Sequence, residues 1–162
     1  MDRYEGFREF VDARQQSLMR TAYLLTGDSH LAEDLVQTVL TRVASHWSKL
    51  AGTGNPEAYT RKALVNQHLS WRRRRSFSEI AGLEVPDRGE AHDDATLRRL
   101  ALRQSLAKLS PKQRAVIVLR FYEDRSEQET AQLMGCSVGT VKSQTHYALS
   151  KLRALAPQEA YR

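Results

Sequence analysis

The chain is poor in the residues that build disulfide frameworks and membrane spans. One cysteine cannot form an intramolecular disulfide, and only four prolines interrupt 162 residues. No apolar run approaches the roughly 20 residues that a membrane-spanning helix requires. The polar N-terminus has no apolar signal segment, so we predict no membrane insertion, no secretory signal and a cytoplasmic location.

Signatures of catalysis and of bound cofactors are also missing. The five histidines show no metal-ligand spacing with each other or with Cys136. There is no glycine-rich phosphate loop and no nucleophile elbow, and adjacent Glu33 and Asp34 would point to different faces of a helix. We therefore predict no enzymatic activity, no metal and no cofactor. Cys136 reads as a small buried residue, with a redox-sensing thiol as the alternative.

What the sequence does have is positive charge. The formal net charge is +6 and the pI is about 9.7, a balance that favours polyanionic partners. A basic surface that only keeps the protein in solution would give the same net charge. Only the distribution of the charge along the chain can separate these two interpretations.

Apolar residues recur at helical spacing through most of the chain, which predicts an all-α fold. One stripe runs from Phe7 to Leu25 and ends at a glycine, and a second runs from Leu31 to Trp47. A third helix begins at Pro56 and continues to the run WRRRR.

A change of composition divides the chain into two predicted domains. Residues 76–95 contain two glycines, a proline and six acidic side chains against one arginine, which indicates a flexible acidic linker. We predict a three-helix bundle over residues 1–75 and a four-helix domain over residues 96–162.

The second domain carries a helix-turn-helix pattern. SPKQ and SEQE are capping boxes that begin at Ser110 and Ser126, Gly135 can end one helix and Ser137 can cap the next. In such motifs the second helix enters the major groove of DNA. Its predicted outer face presents Gly139, Thr140, Lys142, Ser143, His146 and Tyr147. The alternative is an ordinary helical hairpin with a solvated face.

The third predicted helix combines six basic residues with aromatic and amide side chains. Tyr59, Asn66, His68 and Trp71 lie among the cations, a mixture that suits stacking on unpaired bases and contact with phosphates. A solvated basic helix end is the alternative for the four arginines. Tyr59 and Trp71 could equally belong to the core.

Three segments, taken in order, resemble bacterial sigma-70 family factors. AEDLVQTVLTRVASHW is similar to the core-binding helix, NPEAYTRKALVNQHLSWRRRR to the adjoining -10 element segment, and LSPKQRAVIVLRFYEDRSEQETAQLMGCSVGTVKSQTHYALSKLR to the -35 domain. The order and the acidic linker resemble the two-domain extracytoplasmic-function subgroup (group 4), which includes the SigE-like factors of actinobacteria.

The resemblance implies partners and contacts by position. Core RNA polymerase would be bound at its β′ clamp helices by Asp34, Gln37, Arg42 and Trp47, and the second domain would meet the β flap. The melted -10 strand would be bound by Tyr59, Arg61, Lys62, Asn66, Trp71, Arg72 and Arg73. The -35 duplex would be read by Gly139, Thr140, Lys142, Ser143, His146 and Tyr147. Many members of the subgroup are held inactive by an anti-sigma factor, which adds such a protein as a candidate partner.

Three function classes stay open at this point. The first is a promoter-specificity subunit of RNA polymerase, without catalytic activity of its own. The second is a free-standing helix-turn-helix regulator with a sensor domain, and the third is a helical adaptor that binds only proteins. The first 75 residues discriminate among them, since a sensor would need a pocket or phosphoacceptor and an adaptor would not need a basic third helix.

Overall fold

Regular structure in the part of the chain that the structure describes is entirely helical. This computed structural model describes residues 2–78 and 94–155, with side chains described over 2–74 and 101–155. The all-α prediction is confirmed. None of the helices in those ranges is long and apolar enough to cross a membrane.

Four helices form the front half, residues 2–78. They are α1 (Phe7–Thr26), α2 (Ser29–Ser45), α3 (Trp47–Gly52) and α4 (Pro56–Ser78). Gly27 ends α1 with a left-handed φ of 73°, a conformation that favours glycine.

The junctions between these helices are set by local hydrogen bonds. The Asp28 carboxylate caps α2 by accepting from the backbone N–H groups of His30 and Leu31, at 2.8 and 3.1 Å. The apolar run predicted to continue through Trp47 is interrupted at His46, where φ is −109° and α2 ends before the six-residue helix α3 begins. Asn55 caps α4 through Ala58 N–H, at 3.1 Å.

The core of the front half is an apolar cluster between α1, α2 and α4. Leu18, Leu35, Val39 and Leu64 are essentially inaccessible to solvent. Burying a side chain of this size contributes roughly 1.5–3 kcal/mol, so a few such residues hold the three long helices together.

The rear half, residues 94–155, contains α5 (Asp94–Ala107), α6 (Pro111–Ile117), a π-helical turn (Val118–Tyr122), α7 (Glu127–Met134) and α8 (Val138–Leu155). Both predicted capping boxes are present, at the starts of α6 and α7. The segment AVIVLRFY, which follows the first capping box, is helical. Its last residues form the π-helical turn.

The two halves pack against each other, a feature that the sequence did not predict. Helix α4 contacts α6 and α7, and an apolar cluster joins Leu25 of α1 to Ala115 of α6 and Val118 of the π-helical turn. We call this packing the inter-half contact. Most of the predicted linker, 76–95, lies outside the described residues, while its ends fall on α4 and α5.

Candidate nucleic-acid and polymerase interfaces

Helix α8 presents the predicted DNA-reading residues on its outer face. Gly135 adopts a left-handed φ of 68° after α7, which turns the chain into α8. Ser137 caps α8 by accepting from Thr140 N–H at 3.1 Å. Val141 and Ala148 are buried and hold α8 against the rest of the rear half. The opposite face of α8 is directed towards solvent.

The six predicted reading residues occupy the first ten positions of this helix. Thr140 is half-buried, and its hydroxyl lies 2.9 Å from that of Ser137. Five are exposed: Gly139, Lys142, Ser143, His146 and Tyr147. The Tyr147 ring is 60% exposed and meets the His146 ring edge-on at 5.6 Å, so a large aromatic group stands at the surface beside the basic residues. This face can donate hydrogen bonds to phosphates and to base edges.

A second polar face lies on α4. Tyr59, Lys62, Asn66 and Arg73 follow one another at intervals of three, four and seven residues, so α4 brings them to one side. Lys62, Asn66 and Arg73 are exposed, while Tyr59 is half-buried with its ring 5.9 Å from the His46 ring. A cation, an amide and an aromatic ring on one surface can bind an unpaired base and its phosphate.

The other predicted -10 contacts on α4 are buried or half-buried. Arg61 is 7% exposed, and its guanidinium donates to Ser17, to Thr21 and to the carboxylates of Glu57 and Glu123. Arg61 is therefore covered in this arrangement of the halves, and its contact with DNA stays a prediction.

Two further predicted -10 contacts on α4 are half-buried. Arg72 is half-buried and donates to the Thr26 carbonyl at 3.2 Å. Trp71 is half-buried against the front-half core, in line with the alternative that the sequence left open.

The predicted polymerase-binding residues are divided between the surface and the core. Asp34, Gln37 and Arg42 are exposed along α2, and Arg42 donates to the side-chain oxygen of Gln67 at 3.0 Å. Trp47 is 5% exposed, and its indole N–H donates to the Glu5 carbonyl at 2.7 Å. Trp47 therefore packs in the core, and its contact with polymerase stays a prediction.

Comparison with known proteins identifies the family of this chain. Family models described as Sigma-70 region 2 and Sigma-70, region 4 match residues 10–77 and 99–152. The RNA polymerase sigma-E factor of Streptomyces avermitilis is 41% identical over 150 residues, which cover 91% of this chain and 83% of that protein. This chain belongs to the sigma-70 family.

Other relatives and solved structures agree on the family and the fold. The ECF RNA polymerase sigma factor SigL of Mycobacterium tuberculosis is 34% identical over 152 residues, covering 90% of this chain and 86% of that protein. The sigma factor RpoE of Bartonella quintana, solved in complex with the anti-sigma factor NepR, matches with a TM-score of 0.69 and 25% identity over 92% of this chain and 95% of that one. CnrH, solved with the cytosolic domain of CnrY, shares the fold with a TM-score of 0.64 at 21% identity, over 93% and 87% of the two chains.

Cys136 of this sigma-70 family protein is a half-buried thiol in the turn before α8. Burial raises its pKa, although Lys112 opposes the shift. A raised pKa reduces the thiolate population, which does not favour the redox-sensing alternative. Among the described residues no group of histidine, cysteine and carboxylate side chains could hold a metal ion.

Sequence reasoning missed the residues that join the halves of this sigma-70 family protein. Arg61 and Glu123 form an ion pair at 3.0 Å, and Arg114 Nε donates to the Leu24 carbonyl at 2.5 Å. The sequence contained one indication of a second polar face on α4. Intervals of seven and four residues place Arg61, His68 and Arg72 on the same side of the helix. Nothing local marked Glu123 or Arg114 as their counterparts.

Proposed function

We propose that this sigma-70 family protein directs promoter-specific transcription initiation as a non-catalytic subunit of bacterial RNA polymerase. The observation that carries the proposal is the presence of two exposed polar surfaces, on α4 and α8, in a chain that matches both sigma-70 regions. This role places the protein in the cytoplasm with the polymerase. A free-standing regulator or a protein-only adaptor would not require the α4 surface.

The proposed contacts with core polymerase lie on α2 and in the rear half. Asp34, Gln37 and Arg42 form an exposed polar face for the β′ clamp helices. In the rear half, Phe121 and Tyr122 are 54% and 45% exposed at the π-helical turn. These two rings are an apolar surface suited to the β flap, because aromatic side chains bury large areas on binding.

The proposed DNA contacts act on two forms of DNA. The outer face of α8 reads the -35 duplex through the major groove. The exposed side of α4, with Lys62, Asn66 and Arg73, binds unpaired bases of the -10 element after the strands separate. Capturing unpaired bases favours the melted state, so α4 contributes to promoter opening as well as recognition.

The inter-half contact must open before α4 can use all of its cations. Arg61 pairs with Glu123 of the rear half, and Arg72 lines a cavity shared with Arg114 of the rear half, so only part of the basic surface is accessible while the halves are packed together. We propose that polymerase binding separates the halves. An anti-sigma factor is a further proposed partner, since the similar Bartonella factor was solved with one.

The decisive experiment is run-off transcription with purified core polymerase on a pool of random promoters. Transcripts that depend on the added protein, starting downstream of a shared pair of motifs, would support the proposal. Core polymerase alone is the control. If the protein neither co-purified with polymerase nor changed transcription, yet bound a duplex site tightly by itself, the regulator would be the better interpretation.

A further inference from the structure

A small cavity lies between the two halves. Its volume is ≈ 90 Å³, which is room for several waters or for one small oxyanion. The front half supplies Leu25 of α1 with His68 and Arg72 of α4. The rest of the lining comes from the rear half, through the end of α5 and the start of α6: Ala107, Leu109, Pro111 and Arg114. The walls are apolar except for three nitrogen-bearing side chains.

Two of these side chains hold buried nitrogen atoms without a partner. His68 is 2% exposed and Arg114 is 5% exposed. In the part of the chain that the structure describes, His68 Nε2 and Arg114 Nη2 have no hydrogen-bond partner. A buried donor left unsatisfied costs about 1–3 kcal/mol, and more when it is charged. The cavity therefore offers a guanidinium donor, and an imidazole nitrogen that donates in the Nε2–H tautomer.

The electrostatic environment of the cavity is positive. Burial, together with the charges of Arg72 and Arg114, lowers the pKa of His68 to about 3. Burial together with the charges of Arg72 and Arg103 lowers the pKa of Arg114 to about 10. Burial is the larger cause of both shifts, and neighbouring guanidinium groups add to it. Water can accept the hydrogen bonds of these groups, but only an anion also offsets their charge.

We propose that this cavity binds a small inorganic oxyanion, with phosphate or sulfate as the ligand class. A tetrahedral oxyanion can accept from the Arg114 guanidinium and from His68 Nε2–H together, at a site where Arg72 adds positive charge. Because His68 and Arg114 belong to opposite halves, the bound anion bridges them and stabilises the inter-half contact. Binding itself does not depend on the proposed function in transcription.

The test is a phosphate titration of the full chain at constant ionic strength, with chloride as the balancing anion. We expect saturable binding by calorimetry, with sulfate competing for the same site. His68→Leu and Arg114→Gln each remove one donor, and each should weaken phosphate binding at least about tenfold. Arg20→Gln removes the same charge from an exposed position of α1 and should bind phosphate like the wild type.

General salt effects give a different pattern. Phosphate and sulfate stabilise many proteins because they are excluded from the surface, an effect that does not saturate and does not depend on one residue. A linear, variant-independent rise in melting temperature without calorimetric binding would overturn the proposal. So would binding that is unchanged in both His68→Leu and Arg114→Gln.

A residue-specific readout keeps the test valid if a variant does not fold. In wild-type protein labelled with ¹⁵N-histidine, phosphate should move the ring-nitrogen signals of His68 with the same midpoint as the calorimetric titration. Amide hydrogen exchange in α4 and α6 should slow together over that range, because the anion ties these helices to each other. Unchanged His68 signals at saturating phosphate, or exchange that slows in neither helix, would contradict the site.

Discussion

Helices α8 and α4 both carry predicted DNA contacts, but the rest of the molecule covers them to different extents. Five of the six predicted contacts on α8 are exposed. On α4 the face with Lys62 and Asn66 is exposed, while Arg61 faces Glu123 of the rear half. The number of cations on a helix therefore does not measure the charge it can offer to DNA. One helix is ready to bind in this arrangement, whereas the other is only partly available.

The largest expected effect comes from breaking the ion pair that covers Arg61. Glu123→Gln leaves Arg61 with Glu57, Ser17 and Thr21 but removes the carboxylate of the rear half. Truncating one partner of a buried pair typically costs about 3–5 kcal/mol, and we expect the lower end because Glu57 remains. Chemical denaturation should show the lost stability, and a single-stranded -10 oligonucleotide should bind more tightly to the free protein.

Glu33→Gln is the matched control, since it removes the same charge from an exposed position of α2. It should change neither stability nor oligonucleotide binding beyond a few tenths of a kcal/mol. If Glu123→Gln behaved like this control, the ion pair would not hold the halves together.

The next effect concerns His68, which lies on the covered side of α4. Its folded pKa of about 3 is below the usual value of 6.5, so between these values only the unfolded chain binds the proton. Its contribution to stability is complete above about pH 6.5 and is lost as the pH falls towards 3. From pH 7 to pH 5 the free energy of unfolding should drop by about 2 kcal/mol from this residue.

Denaturation at several pH values, in buffer free of phosphate and sulfate, measures this slope. His68→Gln should flatten it, whereas His30→Gln, at an exposed position, should leave it unchanged. Equal slopes for wild type and His68→Gln would mean that burial of this histidine does not control acid stability.

Local signals predicted most of the fold, and long-range contacts account for what the prediction missed. Ser110, Ser126 and Gly135 mark helix ends through bonds to residues a few positions away, so sequence alone identifies them. The burial of Trp47 was not predicted, because a tryptophan on a helical stripe looks the same whether it packs on Phe7 and Phe10 or on another protein. The spacing of α4 predicts a second polar face, but only the folded chain shows that Glu123 and Arg114 lie against it.

The exposed side of α4 can be tested without disturbing the covered side. Asn66 is exposed, so Asn66→Ala should leave the free energy of unfolding unchanged within about 0.5 kcal/mol. If Asn66 holds an unpaired base, the variant should form roughly 5- to 30-fold fewer open complexes, equivalent to about 1–2 kcal/mol. Permanganate footprinting of holoenzyme on promoter DNA measures this change.

Two comparisons make the Asn66 result specific. Polymerase binding by Asn66→Ala should equal that of the wild type, because the variant leaves the α2 face intact. Gln16→Ala, at an exposed position of α1, should melt promoters normally. Normal melting by Asn66→Ala would remove this residue from the proposed base-binding surface.

The last test asks how α8 uses its exposed cation. Lys142 follows the buried Val141 and is exposed on the outer face of α8. If it contacts only phosphate, Lys142→Ala should weaken holoenzyme binding about equally on every -35 sequence and reduce the salt slope by about one. If it reads a base, the loss should be about 1–3 kcal/mol and should disappear at one substituted position of the -35 element.

Lys151 is an exposed cation farther along α8, so Lys151→Ala separates these outcomes from a general loss of charge. If both variants lost the same DNA affinity, Lys142 would contribute only through the overall positive charge of the rear half. If only Lys142→Ala lost affinity, Lys142 would be a specific DNA contact that is exposed in the free protein, unlike the buried Arg61 on α4.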